Sequence, residues 1–148
     1  METMTLQTPL GEIEYGKDDR ISLPNGIPGF EDTDYALWLS RPEYEPIQWL
    51  ILERSDGIAL PLLDPFPLVE GYTPDIPDEA VELLDAESDD VLVYCVATPR
   101  QGQPPTINLR SPVVINPEKK LAIQVILSSE EYDIRYDWSD APAEKAVE

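Results

Sequence analysis

Apolar and polar positions alternate along this chain in short stretches, and the clearest pair lies near the C-terminal end. Two β-branched apolar runs, Val113 to Ile115 and Leu121 to Leu127, flank Asn116-Pro117-Glu118-Lys119-Lys120. The Asn-Pro start and charged middle of that connection are turn chemistry, so the spacing predicts an antiparallel hairpin. In its second arm Leu121, Ile123, Val125 and Leu127 share one face, while Ala122, Gln124 and Ile126 share the other. Apolar residues on both faces predict burial on more than one side.

The same reading gives further strands. Leu6 to Leu10, followed by Ile13 and Tyr15 between glutamates, predicts an opening hairpin around Gly11, and Ile21 and Leu23 continue the pattern. Asp34 to Ser40 and Ile47 to Glu53 follow, with Tyr35, Leu37 and Leu39 on one face and Trp49 and Ile51 on another. After Ser55-Asp56-Gly57, a hairpin turn, Ile58 to Leu63 forms a short strand that Pro61 should confine to an edge or a bulge. Val91 to Thr98 is continuously apolar, as a central strand is. Tyr132 to Trp138 alternates strictly, with Tyr132, Ile134, Tyr136 and Trp138 against Asp133, Arg135 and Asp137, predicting a last strand with one dry and one wet face.

Between the strands, Leu23-Pro24-Asn25-Gly26-Ile27-Pro28-Gly29-Phe30 combines Asn-Gly and Pro-Gly turns with two apolar side chains, Ile27 and Phe30. It reads as a loop folded back on the core. Val69 to Pro77 reads as an irregular surface loop carrying Tyr72, a candidate contact site. The interval from Pro77 to Pro99 has room for one short helix, near 77–84, with an acidic proline-marked start and Val81 and Leu84 facing inward. Asp85 to Asp90 is an acidic loop, and Arg100 to Pro105 a polar turn segment. Beyond Ser139 the small, charged tail 139–148 should be flexible.

Composition sharpens this picture. Sixteen prolines remove backbone donors at so many places that a mostly helical fold is implausible, leaving a mainly β domain of short strands. At 148 residues one domain suffices, burying about 68–70% of the surface its unfolded chain would expose. Thirty acidic residues against ten basic ones give a formal charge of −20. Such a surface repels nucleic acid and anionic lipid, so the expected partners are basic, with no direct nucleic acid and no membrane. Cys95 is the single cysteine and sits in an apolar run, which predicts a buried thiol and a reducing, cytoplasmic location. The start METMTLQT lacks the basic and apolar regions of a signal peptide.

Candidate chemistry is thin. With no histidine in the chain, the commonest general base and most zinc sites are missing. Asp85 to Asp90 lacks the ligand ladder and glycine of an EF-hand, and no phosphate-binding glycine loop appears, so no metal and no cofactor are expected. Carboxylate pairs are too numerous to single out a hydrolase, and the chain reads as a non-enzyme. Recognition is the remaining chemistry. Asp64 with Phe66, Glu70 with Tyr72, Asn108, and Asp133 and Asp137 on the last strand are the partner-binding candidates, because a carboxylate can steer a basic partner that a ring then holds.

Ordered motifs along the chain also carry a resemblance. Gly11-Glu12, then Pro24-x-Gly26-Ile27-Pro28-Gly29-Phe30, then Glu70-Gly71-Tyr72 with Asp75-Ile76, and finally Thr106-x-Asn108-Leu109-x-Ser111-Pro112 resemble the signature of the flagellar assembly factor FliW family. The similarity spans roughly Met4 to Trp138, so residues 1–138 read as one FliW-like domain. The resemblance implies a compact antiparallel β-barrel-like domain without enzymatic activity. It also implies binding to cytoplasmic flagellin and allosteric antagonism of the translational regulator CsrA, relieving repression of flagellin messenger RNA. A single copy is expected to act as a monomer. The chain departs from the family where Leu50-Ile51-Leu52 replaces Leu-Gln-Ser, and at Leu60-Pro61. An acidic mimic that occupies the phosphate sites of a basic protein is the alternative reading.

Overall fold

A computed structural model describes residues 3–44, 46–54, 57–69, 71–86, 91–128 and 132–137. The chain opens with a hairpin of β1 (Met4–Thr8) and β2 (Gly11–Tyr15), in register Met4 to Tyr15 and Thr8 to Gly11. Its turn is closed by the Thr8 hydroxyl, which donates to the Gly11 carbonyl at 2.7 Å and accepts from the Leu10 amide at 2.9 Å. Period-2 alternation puts Leu6, Ile13 and Tyr15 on one buried face.

Nine further strands follow: β3 (Arg20–Ser22), β4 (Tyr35–Ser40), β5 (Gln48–Leu52), β6 (Ala59–Leu63), β7 (Leu92–Arg100), β8 (Gln103–Ile107), β9 (Val113–Asn116), β10 (Leu121–Gln124) and β11 (Tyr136–Asp137). Seven of them, in the order β3-β4-β5-β6-β7-β9-β10, close into a barrel. All neighbours are antiparallel except the closing pair, where β10 meets β3 in parallel at Leu121 and Ser22. There the Ser22 amide donates to the Lys120 carbonyl at 2.8 Å. Closure pairs strands that would otherwise be open edges. β8 and β11 extend the sheet outside the ring from β7.

The barrel is covered on both sides, and the sequence shows it. One set of side chains, including Ile21, Ala36, Leu50, Leu52, Leu62, Val113, Ile115 and Ala122, fills the lumen. The intervening residues point outward into three separate layers. The β1–β2 hairpin covers Leu37 and Ile51, with Leu39 and Trp49 at its margin. The helix α1 (Asp78–Leu83) and the residue after it cover Val114, Ile123 and Val125 with Ala80 and Leu84. Tyr72, Leu109 and the partly buried Tyr132 cover Leu63, Cys95 and Ala97. Strands buried on both faces lose their alternation, which is why Leu50-Ile51-Leu52 and Val113-Val114-Ile115 are apolar throughout.

Several expectations change in three dimensions. Tyr35, Leu37 and Leu39 do not have a separate face from Trp49 and Ile51, since Leu37 lies opposite Ile51 and Leu39 opposite Trp49 under the same hairpin. β6 is internal to the sheet, flanked by β5 and β7; Pro61 is tolerated because the β6–β7 ladder begins only at Leu62. The polar segment after Arg100 is a two-residue turn leading into β8, whose Pro104 and Pro105 are passed by a register shift between Thr98 and Arg100. The last strand shrinks to Tyr136–Asp137, and Ile134 is 53% exposed instead of dry. β10 ends at Gln124, leaving Ile126 exposed, although the amides of Val125 and Leu127 still donate to Pro112 and Arg110. Across the helix and the residue that caps it the inward pair is Ala80 and Leu84, at i, i+4, and Val81 is half-buried. Ser55, Asp56, Trp138, the tail 139–148 and most of the acidic loop, residues 87–90, lie outside the described residues.

Candidate partner-binding site

The connection leaving β6 sets the geometry of the exposed aromatic. Pro65 is fully buried, and its carbonyl accepts from the amides of Leu68 at 3.1 Å and Val69 at 2.8 Å, which turns the chain sharply. The Asp64 carboxylate accepts from the Phe66 amide at 3.1 Å, holding the next residue outward. Phe66 is consequently 49% exposed, an apolar ring presented beside a carboxylate.

Beneath it lies Tyr72. Its ring is 5.8 Å from Phe66 and 4.9 Å, edge-on, from Tyr132. The Tyr72 hydroxyl donates to the Leu109 carbonyl at 2.7 Å and accepts from the Cys95 thiol at 3.8 Å. Tyr132 closes the cluster through its hydroxyl, which donates to the Thr73 carbonyl at 2.9 Å. Burial pushes the Tyr72 phenol well above its ordinary value and the Cys95 thiol up to about 12, so both stay protonated at neutral pH. Cys95 is therefore a buried structural thiol, as its apolar surroundings in sequence imply. The phenol of Tyr94 is also raised by burial, and Gln48 donates to it at 3.2 Å.

Phe66, Leu92 and Tyr94 enclose a groove of about 440 Å³ whose rim carries Asp64. Leu92, which lines the same groove, is 39% exposed. The arrangement can receive an apolar side chain between two exposed anchors and hold a cation at the rim; it offers no carboxylate besides Asp64 among the described lining residues. Also among the described residues, no group of three or more His, Cys, Asp or Glu could hold a metal ion. No described helix is long and apolar enough to cross a membrane.

The seven sequence candidates fall into separate places. Asp64, Phe66 and Tyr72 come together, but Tyr72, at 4% exposure, is the floor support of the groove and not a surface contact. A phenol on a loop reads as exposed until the loop is seen to fold over β7. Glu70 lies outside the described residues. Asn108 turns the chain before β9, its carboxamide oxygen accepting from the amides of Arg110 and Ser111, both at 3.1 Å. Asp133 is exposed and uses its carbonyl to accept from the Leu109 amide, while the Asp137 carboxylate pairs with Arg100 at 3.1 Å. Leu92 and Tyr94 were not singled out in the sequence, because a continuous apolar run hides which of its members reach solvent.

The sequence matches the family described as FliW protein over residues 4–138. It is 38% identical over 136 residues to the flagellar assembly factor FliW of Thermotoga maritima, covering 90% of this chain and 91% of that one. The Thermosipho africanus protein of the same name is 36% identical over 140 residues, covering 93% and 97%. A crystal structure of the flagellar assembly factor FliW superposes with a TM-score of 0.82 at 28% identity, covering 93% of this chain and 96% of that one.

Proposed function

Because the chain belongs to the FliW family of flagellar assembly factors, we propose that it is a non-enzymatic, cytoplasmic partner-switching protein that binds flagellin and, when flagellin is exported, antagonises the translational regulator CsrA. The observation that carries this reading is the family match across residues 4–138. Two features of the molecule support it. The Phe66–Leu92 groove supplies the exposed apolar anchors a protein partner needs, with Asp64 beside them. A net charge of −20 supplies long-range attraction for a basic regulator. The antagonism is allosteric: the chain and RNA occupy different surfaces of CsrA, and binding here disfavours the RNA-competent state.

Mixing the purified chain with CsrA and a saturating flagellin leader RNA tests the reading. A complex containing all three components is the expected transient species, with RNA released as the chain is raised. Binding abolished by saturating RNA indicates direct occupation of the phosphate sites, the mimic's behaviour. Failure to bind either flagellin or CsrA at micromolar concentration overturns the proposal.

A further inference from the structure

A second concavity, about 480 Å³, opens at the barrel mouth beside the loop that carries Ile27 and Phe30. Its size falls within the roughly 300–1,000 Å³ usual for small-molecule sites. Leu60 and Val96 continue the floor, packed against the lumen core and left half-buried there. The rim differs from the rest of the molecule. On a chain with 30 acidic and 10 basic residues, the described residues lining this mouth include Arg100 and Arg135 and no aspartate or glutamate.

The rim also holds unspent hydrogen-bonding capacity. Asn108 commits its oxygen to the Arg110 and Ser111 amides, which leaves its amide nitrogen without a partner among the described residues. Gln124 donates to the Ser111 carbonyl at 2.8 Å, which holds the side chain across the mouth. Arg100 is fixed by donating to the Pro104 carbonyl at 2.8 Å and to Asp137 at 3.1 Å, and Arg135 is exposed. Cationic forks and amide donors over an aliphatic floor fit a ligand with an anionic head and an apolar tail. Because Asp137 pairs with Arg100 and the whole chain is strongly anionic, a singly charged head is favoured over a doubly charged phosphate.

We infer that this mouth binds a medium-chain aliphatic carboxylate, its head on Arg135, Arg100 and the Asn108 amide and its tail over Leu60 and Val96. The site shares no residue with the Phe66 groove and stands independently of the partner-switching reading.

Octanoate, kept below micelle-forming concentration, is the probe, with the full chain followed by calorimetry and by methyl NMR. Saturable binding at one site is expected, with shifts at the methyls of Ile27, Leu60 and Val96. Acetate, which lacks the tail, and octylammonium, which inverts the head charge, should each bind at least roughly tenfold more weakly. Arg135→Gln, a substitution of an exposed side chain, should weaken octanoate by about tenfold with melting unchanged. Equal binding of octanoate and octylammonium, shifts confined to Leu92 and Val93, or no saturable binding overturns the inference. So does an Arg100→Gln/Arg135→Gln pair that binds octanoate like the parent.

Discussion

The Tyr72 hydroxyl, buried and donating to the Leu109 carbonyl at 2.7 Å, ties the loop after β6 to the strand region before β9. Phe66, six residues earlier, makes no comparable tie and faces solvent. The two positions should therefore respond differently. Tyr72→Phe removes a donor from a buried carbonyl and is expected to cost about 1–3 kcal/mol in denaturant unfolding. Phe66→Ala should shift the unfolding midpoint little and weaken partner binding by roughly tenfold or more, measured by calorimetry with flagellin and with CsrA. Ionisation gives a second test at this scale. Burial raises the Cys95 thiol from 9.0 to about 12, and burial together with the Glu53 carboxylate, 2.5 Å away, raises the Tyr15 phenol from 10.0 to about 12. In both, the unfolded chain releases its proton first as pH rises. Their contribution is fully present below about pH 9 and is lost between about 9 and 12. Unfolding midpoints measured against pH should fall across that window, and Cys95→Ala should flatten the onset near pH 9.

At the scale of elements, the α1–hairpin junction depends on one buried polar side chain. Asn116 donates to the Leu84 carbonyl at 2.8 Å, just beyond the helix, while its oxygen accepts from the amides of Glu118 and Lys119 at 3.2 and 3.3 Å. One carboxamide thus closes the helix end and the β9–β10 turn together. Asn116→Ala should cost about 1–3 kcal/mol and raise amide exchange in both elements, and exchange confined to one of them would show that the coupling is weak. The loop before β4 depends on a glycine for a separate reason. Gly26 has φ +64°, and a Cβ there would stand 2.7 Å from the Glu31 Cα. Gly26→Ala is expected to destabilise by more than about 1 kcal/mol, read from the thermal midpoint.

Over the whole molecule, the charge of −20 acts beyond any single contact. Few carboxylates are tied into the described ion pairs, which involve Glu53, Asp32, Asp137 and Asp85. The remaining field accelerates encounter with a basic protein and is screened over about 10 Å at 0.1 M salt. The proposed association with CsrA, followed by stopped flow, should slow steeply as salt rises, while dissociation changes little. A rate insensitive to salt would remove steering from the account. The closed barrel provides the rigid frame for both concavities, the Phe66 groove where β6 ends and β7 begins and the basic mouth beside Leu60 and Val96.

The sequence alone determined the elements whose cause is local. The β9–β10 hairpin follows from an Asn-Pro turn between β-branched runs, the opening hairpin from alternation around Gly11, the short helix from its acidic, proline-marked start, and the buried thiol from its apolar neighbours. The tertiary structure decided everything that depends on what covers a strand. Leu37 and Ile51 share a face because a hairpin distant in sequence lies over both, and Pro61 sits inside the sheet because β7 begins pairing one residue later. Tyr72 is core because its loop folds over β7, and Ile134 is exposed because the strand it was expected to join forms only at Tyr136. Periodicity records which residues alternate, whereas burial depends on which distant segment arrives on each side, and barrel closure alone fixes that.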